Sequence, residues 1–369
     1  MGRKQHFVPQ FLLKNFASDS ERRRISLFYL PGSKVVKGAS IKDQAYRKNL
    51  YGSDQNLEEY FRAVETKVSA IIDRIISTEN IDLTPGEETM LKHLVSLQIN
   101  RTPEQISGLQ SQFDKMMKIV LRHDPRVKDY LKDITIKITS PYHFLFVIAL
   151  RVTPALFDLK VSLLKNGSEE EILIGQHPAV VSNPVLYLKQ WPGSLQGVAS
   201  KGALILLPVS PQHAIALYDR RRYGLRNFER IGVLSHGDVG KINTLQFCYT
   251  TDCVYFHEGG REIEFDRYKE RTEEFRASDK NILNLFEGTN GKGRRSEIIR
   301  ATHKEPPIRP VFDFIEPKVF AMRENLGPSM DIARDEVRHI AYRMFDKGST
   351  PPPELEQSSD IYYLQSEEE

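Results

Sequence analysis

The sequence predicts an α+β protein in which a helical N-terminal half packs on a small mixed, mostly antiparallel sheet in the C-terminal half. Apolar residues between 57 and 75 recur at helical spacing, and Ser/Thr-Pro pairs mark several helix starts in the first half. After residue 156, short apolar runs of strand length replace that spacing, and Asn166-Gly167 is typical of a hairpin turn. This change of period separates the two halves.

The elements of the N-terminal half follow in order along the chain. Pro9 to Phe16 predicts a short helix, and the run from Ile25 to Tyr29 predicts a strand that forms a small hairpin with Val35-Val36. A long amphipathic helix spans Leu57 to Ile75. The next helix starts at Thr84-Pro85-Gly86-Glu87, where Thr84 and Glu87 have the spacing of a capping box. Further helix starts are predicted at Thr102-Pro103, Ser140-Pro141 and Thr153-Pro154.

The C-terminal half is predicted to contain strands and one further helix. Phe157 to Leu164 and Glu171 to Ile174 are expected to pair as a hairpin through Asn166-Gly167. Other strands are predicted at 203–209, 214–218 and 254–256, with a helix near 239–247.

These elements predict four regions. Residues 1–268 form the core, helical over 1–155 and α+β over 156–268. A polar and basic linker or loop covers 269–309, a helical segment covers 310–347, and a disordered tail rich in proline, serine and glutamate covers 348–369.

Composition excludes several classes of protein. The 369 residues include 52 basic and 49 acidic side chains, which is the balance of a globular protein rather than of a basic nucleic-acid coat. No apolar run approaches the length of a membrane span, so no membrane association is expected. The two cysteines are too few for a disulfide framework or a four-thiolate zinc site. These observations predict a cytoplasmic location.

Gln5-His6 is the first candidate for chemistry, because histidine transfers protons near neutral pH or binds metals. His6 stands directly before the first predicted helix and is followed by Phe7 and Val8. A catalytic acid/base is one interpretation. The other is a core histidine that donates a hydrogen bond to a carbonyl.

Arg101 is the second candidate. It follows Gln98 by three residues and Leu97 by four, so Gln98 and Arg101 continue the buried stripe of one helix. A buried guanidinium must be paired. It is therefore satisfied either by a carboxylate of this chain or by helix carbonyls, or it binds an anion such as phosphate.

Two further groups of polar residues are candidate binding sites. Gln176-His177 follows a predicted strand, where loops often display functional side chains. Arg220-Arg221-Arg222 is a basic cluster that either contacts phosphates or forms an ordinary solvated surface.

Four segments together resemble an uncharacterised family, domain of unknown function 4238. They are Gln5 to Phe16, Leu97 to Pro103, Ile172 to Pro178 and Leu206 to Pro211, within a region from about Lys4 to about Phe256. The family usually has an aspartate where this chain has Gln176, and His177 replaces the next residue. If that aspartate is functional in relatives, the resemblance implies that its task has moved to His177 or has been lost.

The resemblance implies bacterial anti-phage defence and carries no chemistry. The sequence therefore supports two hypotheses. In the first, a nuclease-like effector acts on nucleic acid with His6, Arg101 and His177 as catalytic residues and Gln5, Gln98, Gln176 and Arg220–Arg222 as binding residues, with a divalent metal left open. In the second, the protein is a sensor or adaptor that binds a phage protein or a nucleic-acid end without catalysis. A homodimer joined through the C-terminal helix is a further interpretation.

Overall fold

The computed structural model describes residues 3–52, 55–189, 197–226, 231–258, 263–289, 295–323, 333–335, 337 and 363–364. Within these ranges, helices and mostly antiparallel sheets together confirm the α+β class. The helices are α1 Gln10–Lys14, α2 Gln55–Thr78, α3 Pro85–Asn100, α4 Pro103–Leu121, α5 Pro141–Val152, α6 Pro184–Lys189, α7 His236–Cys248, α8 Phe265–Ala277 and α9 Val319–Arg323.

The strands belong to several separate sheets. They are β1 Lys4–His6, β2 Arg24–Tyr29, β3 Lys34–Ser40, β4 Tyr46–Lys48, β5 Lys160–Asn166, β6 Val180–Ser182, β7 Leu204–Ser210, β8 His213–Tyr218, β9 Tyr223–Leu225, β10 Ile231–Leu234, β11 Cys253–Phe256, β12 Asn281–Thr289, β13 Arg295–His303, β14 Ile315–Pro317 and β15 Tyr363–Leu364. The largest sheet has the order β10-β5-β8-β7-β6, in which only β10 and β5 pair in parallel.

The division into a helical half and a sheet half is less simple than the sequence predicts. Strands β2 and β3 come before all the long helices, yet β2 pairs with β11, more than 200 residues later. Strand β1 pairs antiparallel with β4, which places His6 opposite Tyr46. The first 50 residues therefore supply strands as well as a helix.

The predicted helix starts are confirmed where a capping side chain marks them. Thr84 Oγ1 accepts a hydrogen bond from the Glu87 N–H at 3.3 Å, and the Glu87 carboxylate accepts one from the Thr84 N–H at 2.9 Å. Thr102 Oγ1 accepts from the Gln105 N–H at 3.4 Å and starts α4. Each cap satisfies backbone donors that the helix itself leaves unpaired. At Thr153-Pro154 the structure forms a short 3₁₀ helix instead of an α-helix.

The predicted hairpin at Asn166-Gly167 is wrong. Strand β5 pairs with β8 along one edge and with β10 along the other, so no edge remains for residues 171–174. Ile174 instead exchanges two backbone hydrogen bonds with Tyr255, at 3.1 and 2.9 Å. The Asn-Gly pair indicates a turn from neighbouring residues alone. The strand that pairs with β5 is instead determined by segments that are distant in the chain.

The structure also differs from the expected linker or loop over 269–309. Helix α8 extends into this range, and β12 and β13 form an antiparallel hairpin. Ion pairs connect the hairpin region to α4 and the residue that follows it, through Lys115 with Asp279 and Arg122 with Glu297. A polar segment can form regular structure when its charged side chains form ion pairs with a neighbouring helix.

The C-terminal predictions fall largely outside the described residues. Of the expected helical segment 310–347, the structure describes residues 310–323, which contain β14 and α9, together with 333–335 and 337. The tail 348–369 lies outside the described residues except for Tyr363-Leu364. The homodimer through the C-terminal helix therefore stays a prediction.

One apolar core joins the N-terminal segment to both the helices and the large sheet. Its buried members include Phe7, Leu12 and Phe16 from the first segment, Val68 and Leu94 from α2 and α3, and Leu207 and Ile215 from the sheet. Burial of these side chains holds β1 and α1 against α2. A cleft lies between these elements.

Candidate functional site

The cleft formed by β1, α1 and α2 has a volume of about 610 Å³ and contains His6; we call it the His6 cleft. Such a volume is in the range of small-molecule and substrate sites. Its lining residues are Lys4, Gln5, His6, Gln10, Phe11, Tyr51, Glu58, Phe61, Arg62, Glu65, Thr66, Ser69, Ala70 and Asp73.

Gln5 supports the wall of the cleft through internal hydrogen bonds. Its side chain is 3 % exposed, its Oε1 accepts a hydrogen bond from the Tyr51 N–H at 2.6 Å, and its Nε2 donates to the Gly52 carbonyl at 3.2 Å. These bonds fix residues 51–52 beside β1. Gln5 therefore positions the cleft, and both ends of its amide are engaged.

His6 is held in one tautomer by its neighbours. Its Nε2 lies 3.3 Å from the carbonyl oxygen of Lys42, which can only accept, so Nε2 carries the proton. The Gln10 Nε2 amide lies 3.3 Å from both ring nitrogens, which leaves Nδ1 as its acceptor. Burial lowers the pKa of His6 below its ordinary value, although the Lys42 carbonyl and the Glu65 charge oppose the shift. The imidazole is therefore neutral at pH 7 and able to accept a proton.

Arg101 lies behind the cleft, and its guanidinium is bonded within the chain. Its side chain is 4 % exposed, its Nη1 lies 2.8 Å from Glu65 Oε1, and its Nε donates to the Phe7 carbonyl at 3.0 Å. The guanidinium carbon is 5.0 Å from the centre of the Phe61 ring. These contacts join α3 to β1 and α2. They correspond to the predicted alternative in which a carboxylate of the chain pairs the buried arginine.

Gln98 belongs to the same network. In the amide orientation that satisfies all partners, its nitrogen donates to the Phe7 carbonyl at 3.2 Å, and its oxygen accepts from Arg101 Nε and Nη2 at 2.8 and 2.9 Å. Gln98 is fully buried. It holds the guanidinium in place and does not line the cleft.

Gln176 and His177 do not line the His6 cleft. His177 is buried, with Nδ1 3.1 Å from Thr102 Oγ1 and its ring stacked obliquely against Tyr249. Gln176 Oε1 accepts from the N–H groups of Thr251 and Asp252 at 3.3 and 2.9 Å. Thus only His6 of the three predicted catalytic residues lines the cleft, with Arg101 behind it and His177 connected through Thr102.

The three consecutive arginines lie elsewhere, at the turn between β8 and β9. Arg222 is buried against Phe320, and burial lowers the pKa of its guanidinium. Arg221 pairs with Asp335 at 3.2 Å. Arg220 lines a separate pocket. The predicted binding residues are therefore divided between at least two places in the fold.

Glu65 and Arg62 of α2 are cleft residues that the sequence does not single out. Their charges on a long helix are typical of a solvated face, and Glu65 also resembles half of a nuclease motif placed on the wrong type of element. The sequence feature that could have led to Glu65 is Arg101, because a buried arginine requires a carboxylate partner. Only the packing of α2 on α3 identifies that partner as Glu65.

Glu104, near the start of α4, is a second group that sequence reasoning misses. Its Oε1 is buried and has no hydrogen-bond partner among the residues that the structure describes. Burial raises the pKa of Glu104 to about 7; the charge of Asp252 adds to the shift, and Lys280 and Arg47 oppose it. Its carboxyl group is thus close to half-ionised at neutral pH.

In the described ranges, no three histidine, cysteine, aspartate or glutamate side chains come close enough together to hold a metal ion. Every helix in this part of the chain is too short or too polar to span a lipid bilayer.

Comparison with known proteins identifies one relationship. The sequence model of a family described as a protein of unknown function (DUF4238) matches residues 4–260, which confirms the resemblance from the N-terminal signature onwards. No curated protein and no solved structure matches the chain.

Proposed function

The chain belongs to the DUF4238 family, and we propose that it is a cytoplasmic, nuclease-like effector of bacterial anti-phage defence that acts at the His6 cleft. The observation that carries the proposal is His6 itself, a neutral imidazole on the wall of a cleft of about 610 Å³. The defence setting is implied by the family resemblance. The chemistry is argued from the cleft.

In this proposal, His6 takes a proton from a water molecule as the water oxygen bonds to the phosphorus of a phosphodiester. The P–O bond to the leaving oxygen breaks, and the released alkoxide takes a proton from solvent. The lone pair of Nδ1 faces Gln10, whose side chain also lines the cleft and can turn away when substrate enters. The Lys42 carbonyl keeps the proton on Nε2 and stabilises the imidazolium once it forms.

Arg62 is the group that we assign to the phosphate. Its side chain is 74 % exposed, and its nearest carboxylate, Glu58, is 3.9 Å away. An ion pair this long and exposed contributes little energy, so the guanidinium is able to turn to a phosphate. Arg101 serves as a brace, because its guanidinium forms an ion pair with Glu65 and donates hydrogen bonds to Gln98 and the Phe7 carbonyl.

His6→Ala is expected to reduce hydrolysis of DNA or RNA by about 100-fold or more, the usual contribution of a general base. The assay uses purified full-length protein, single- and double-stranded substrates, and buffers with and without Mn²⁺. The wild-type rate is expected to fall as the pH decreases through the lowered pKa of His6, because only the neutral imidazole accepts the proton.

The matched control is His236→Ala, since His236 is an exposed histidine at the start of α7. It should keep the wild-type rate. Hydrolysis that survives in the His6 variant would show that the reaction occurs elsewhere. Survival of phage-infected cells with the His6→Ala gene in place of the wild type would contradict the link between this cleft and defence.

A non-enzymatic sensor or adaptor is the second candidate function. The observation that favours it is the internal bonding of Arg101, Gln176 and His177, because of the three predicted catalytic residues it leaves His6 alone on the cleft. On this hypothesis, labelled oligonucleotides or their ends bind without being cut, and His6→Ala binds them as the wild type does. Fluorescence anisotropy with product analysis distinguishes the two functions.

A further inference from the structure

A second pocket, separate from the His6 cleft, lies where the start of β5, the β8–β9 turn and the segment after β14 meet. Its volume is about 630 Å³, and we call it the Arg220 pocket. Lys160, Arg220 and Lys318 line it, together with Phe157 and the carboxylates of Glu88 and Asp158.

The topology brings the three cations together from distant parts of the chain. Lys160 lies opposite Tyr218 in the β5–β8 register, and Tyr218 precedes Arg220 by two residues. The Lys318 Nζ donates to the Arg220 carbonyl at 2.7 Å, which holds its ammonium group beside the turn. A carbonyl does not neutralise the ammonium, so the positive charge of Lys318 remains available.

Both carboxylates of the pocket are already neutralised by buried cations behind it. Asp158 pairs with Arg334, with Arg334 Nε 2.6 Å from Oδ2 and Nη2 3.1 Å from Oδ1. Glu88 pairs with Lys92 at 2.5 Å, and the Lys92 side chain is 3 % exposed. Among the described residues, Lys160 and Arg220 have no ion pair, so the pocket carries uncompensated positive charge.

The rest of the pocket is apolar and aromatic. Ile81, Leu159 and Tyr218 are buried in its wall, whereas the Phe157 ring at its edge is 46 % exposed. An exposed aromatic ring next to clustered cations is the combination that binds a base by stacking and phosphate by charge. The volume suits a ligand of nucleotide size.

We propose that the Arg220 pocket binds a nucleoside phosphate, with the phosphates on Lys160, Arg220 and Lys318 and the base on Phe157. This site is independent of the His6 cleft and does not require the protein to be a nuclease. The ligand is a free nucleotide rather than a nucleic-acid strand, because the three cations and the aromatic ring line a single pocket instead of following an extended path.

Isothermal titration calorimetry of the full-length protein at low salt tests the proposal, with ATP, tripolyphosphate, adenosine and a twelve-residue deoxythymidine oligonucleotide as probes. ATP is expected to bind saturably, tripolyphosphate more weakly, and adenosine not measurably. Arg220→Ala and Lys318→Ala should each weaken ATP binding at least about tenfold, since each removes a charged contact to phosphate. Phe157→Ala should weaken ATP but leave tripolyphosphate unchanged.

Arg226→Ala is the matched control, because Arg226 lies just beyond β9, pairs with Glu316 at 2.9 Å and does not line the pocket. It should bind ATP as the wild type does, and thermal unfolding of each variant shows that it is folded. The proposal is overturned if ATP gives no saturable binding, or if Arg220→Ala leaves it unchanged. If ATP and tripolyphosphate bind equally well, the pocket does not recognise the nucleoside, and that part of the proposal is wrong. If the oligonucleotide binds more tightly than ATP and this binding depends on Arg220, the ligand is a nucleic-acid strand and not a free nucleotide.

Discussion

Replacing Arg101 with methionine is expected to lower the free energy of unfolding by about 2–3 kcal/mol, because it removes the hydrogen bonds of a buried charged group. The substitution keeps an apolar stem beside Phe61 but removes every donor of the guanidinium. Glu65 then loses its ion-pair partner and the Gln98 amide oxygen loses both of its donors, whereas the Phe7 carbonyl keeps only the hydrogen bond from the Gln98 amide nitrogen. Urea unfolding followed by circular dichroism measures the change.

Arg62→Met on α2 is the matched control, because it removes the same type of side chain from an exposed position. It should change stability by no more than about 0.5 kcal/mol. Adding Glu65→Gln to the Arg101 variant should recover part of the loss, since no unpaired carboxylate then remains. An Arg101→Met protein as stable as the wild type would contradict the structural role of Arg101.

Glu104→Gln is expected to stabilise the protein by up to about 3 kcal/mol at pH 8 and by much less at pH 5. The folded-state pKa of Glu104 is raised to about 7 by burial, above its ordinary value of 4.5. Between these two values the unfolded chain loses the proton and the folded chain retains it, so stability falls as the pH rises. Above pH 7 the folded protein carries a buried charge, and the amide removes that penalty.

The measured quantity is the difference between the variant's effect at pH 8 and at pH 5. Any constant cost of placing an amide at this site cancels in that difference. Glu59→Gln, an exposed position on α2, serves as the control and should change stability by less than about 0.5 kcal/mol at either pH. Equal stabilisation by Glu104→Gln at both pH values would contradict a raised pKa at Glu104.

The helices were the most predictable part of this fold. The apolar stripe of α2 and the capping residues at Thr84 and Thr102 predicted helices that the structure contains. Both signals are local, because a helix hydrogen-bonds within itself and its caps lie within a few residues. The strands β2, β7, β8 and β11 were also predicted from short apolar runs.

The candidate site was only partly predictable. His6 was identified by its type and its position before a helix, and it does line a cleft. Glu65 was not among the predicted site residues, because helical spacing says which residues share a face but not what covers that face. The three arginines were treated as one cluster, although only Arg220 lines the pocket that we propose for nucleotides.

The sequence by itself determined the α+β class, the long helices with their starting residues, and the family to which the chain belongs. Only the tertiary structure decided which strands pair, as at Asn166-Gly167, and which carboxylate meets Arg101. It also decided that Arg101 and His177 face internal partners while His6 faces a cleft. The physical reason is that periodicity and capping act over a few residues, whereas strand pairing, ion pairing and burial depend on segments that are distant in the chain and meet only on folding.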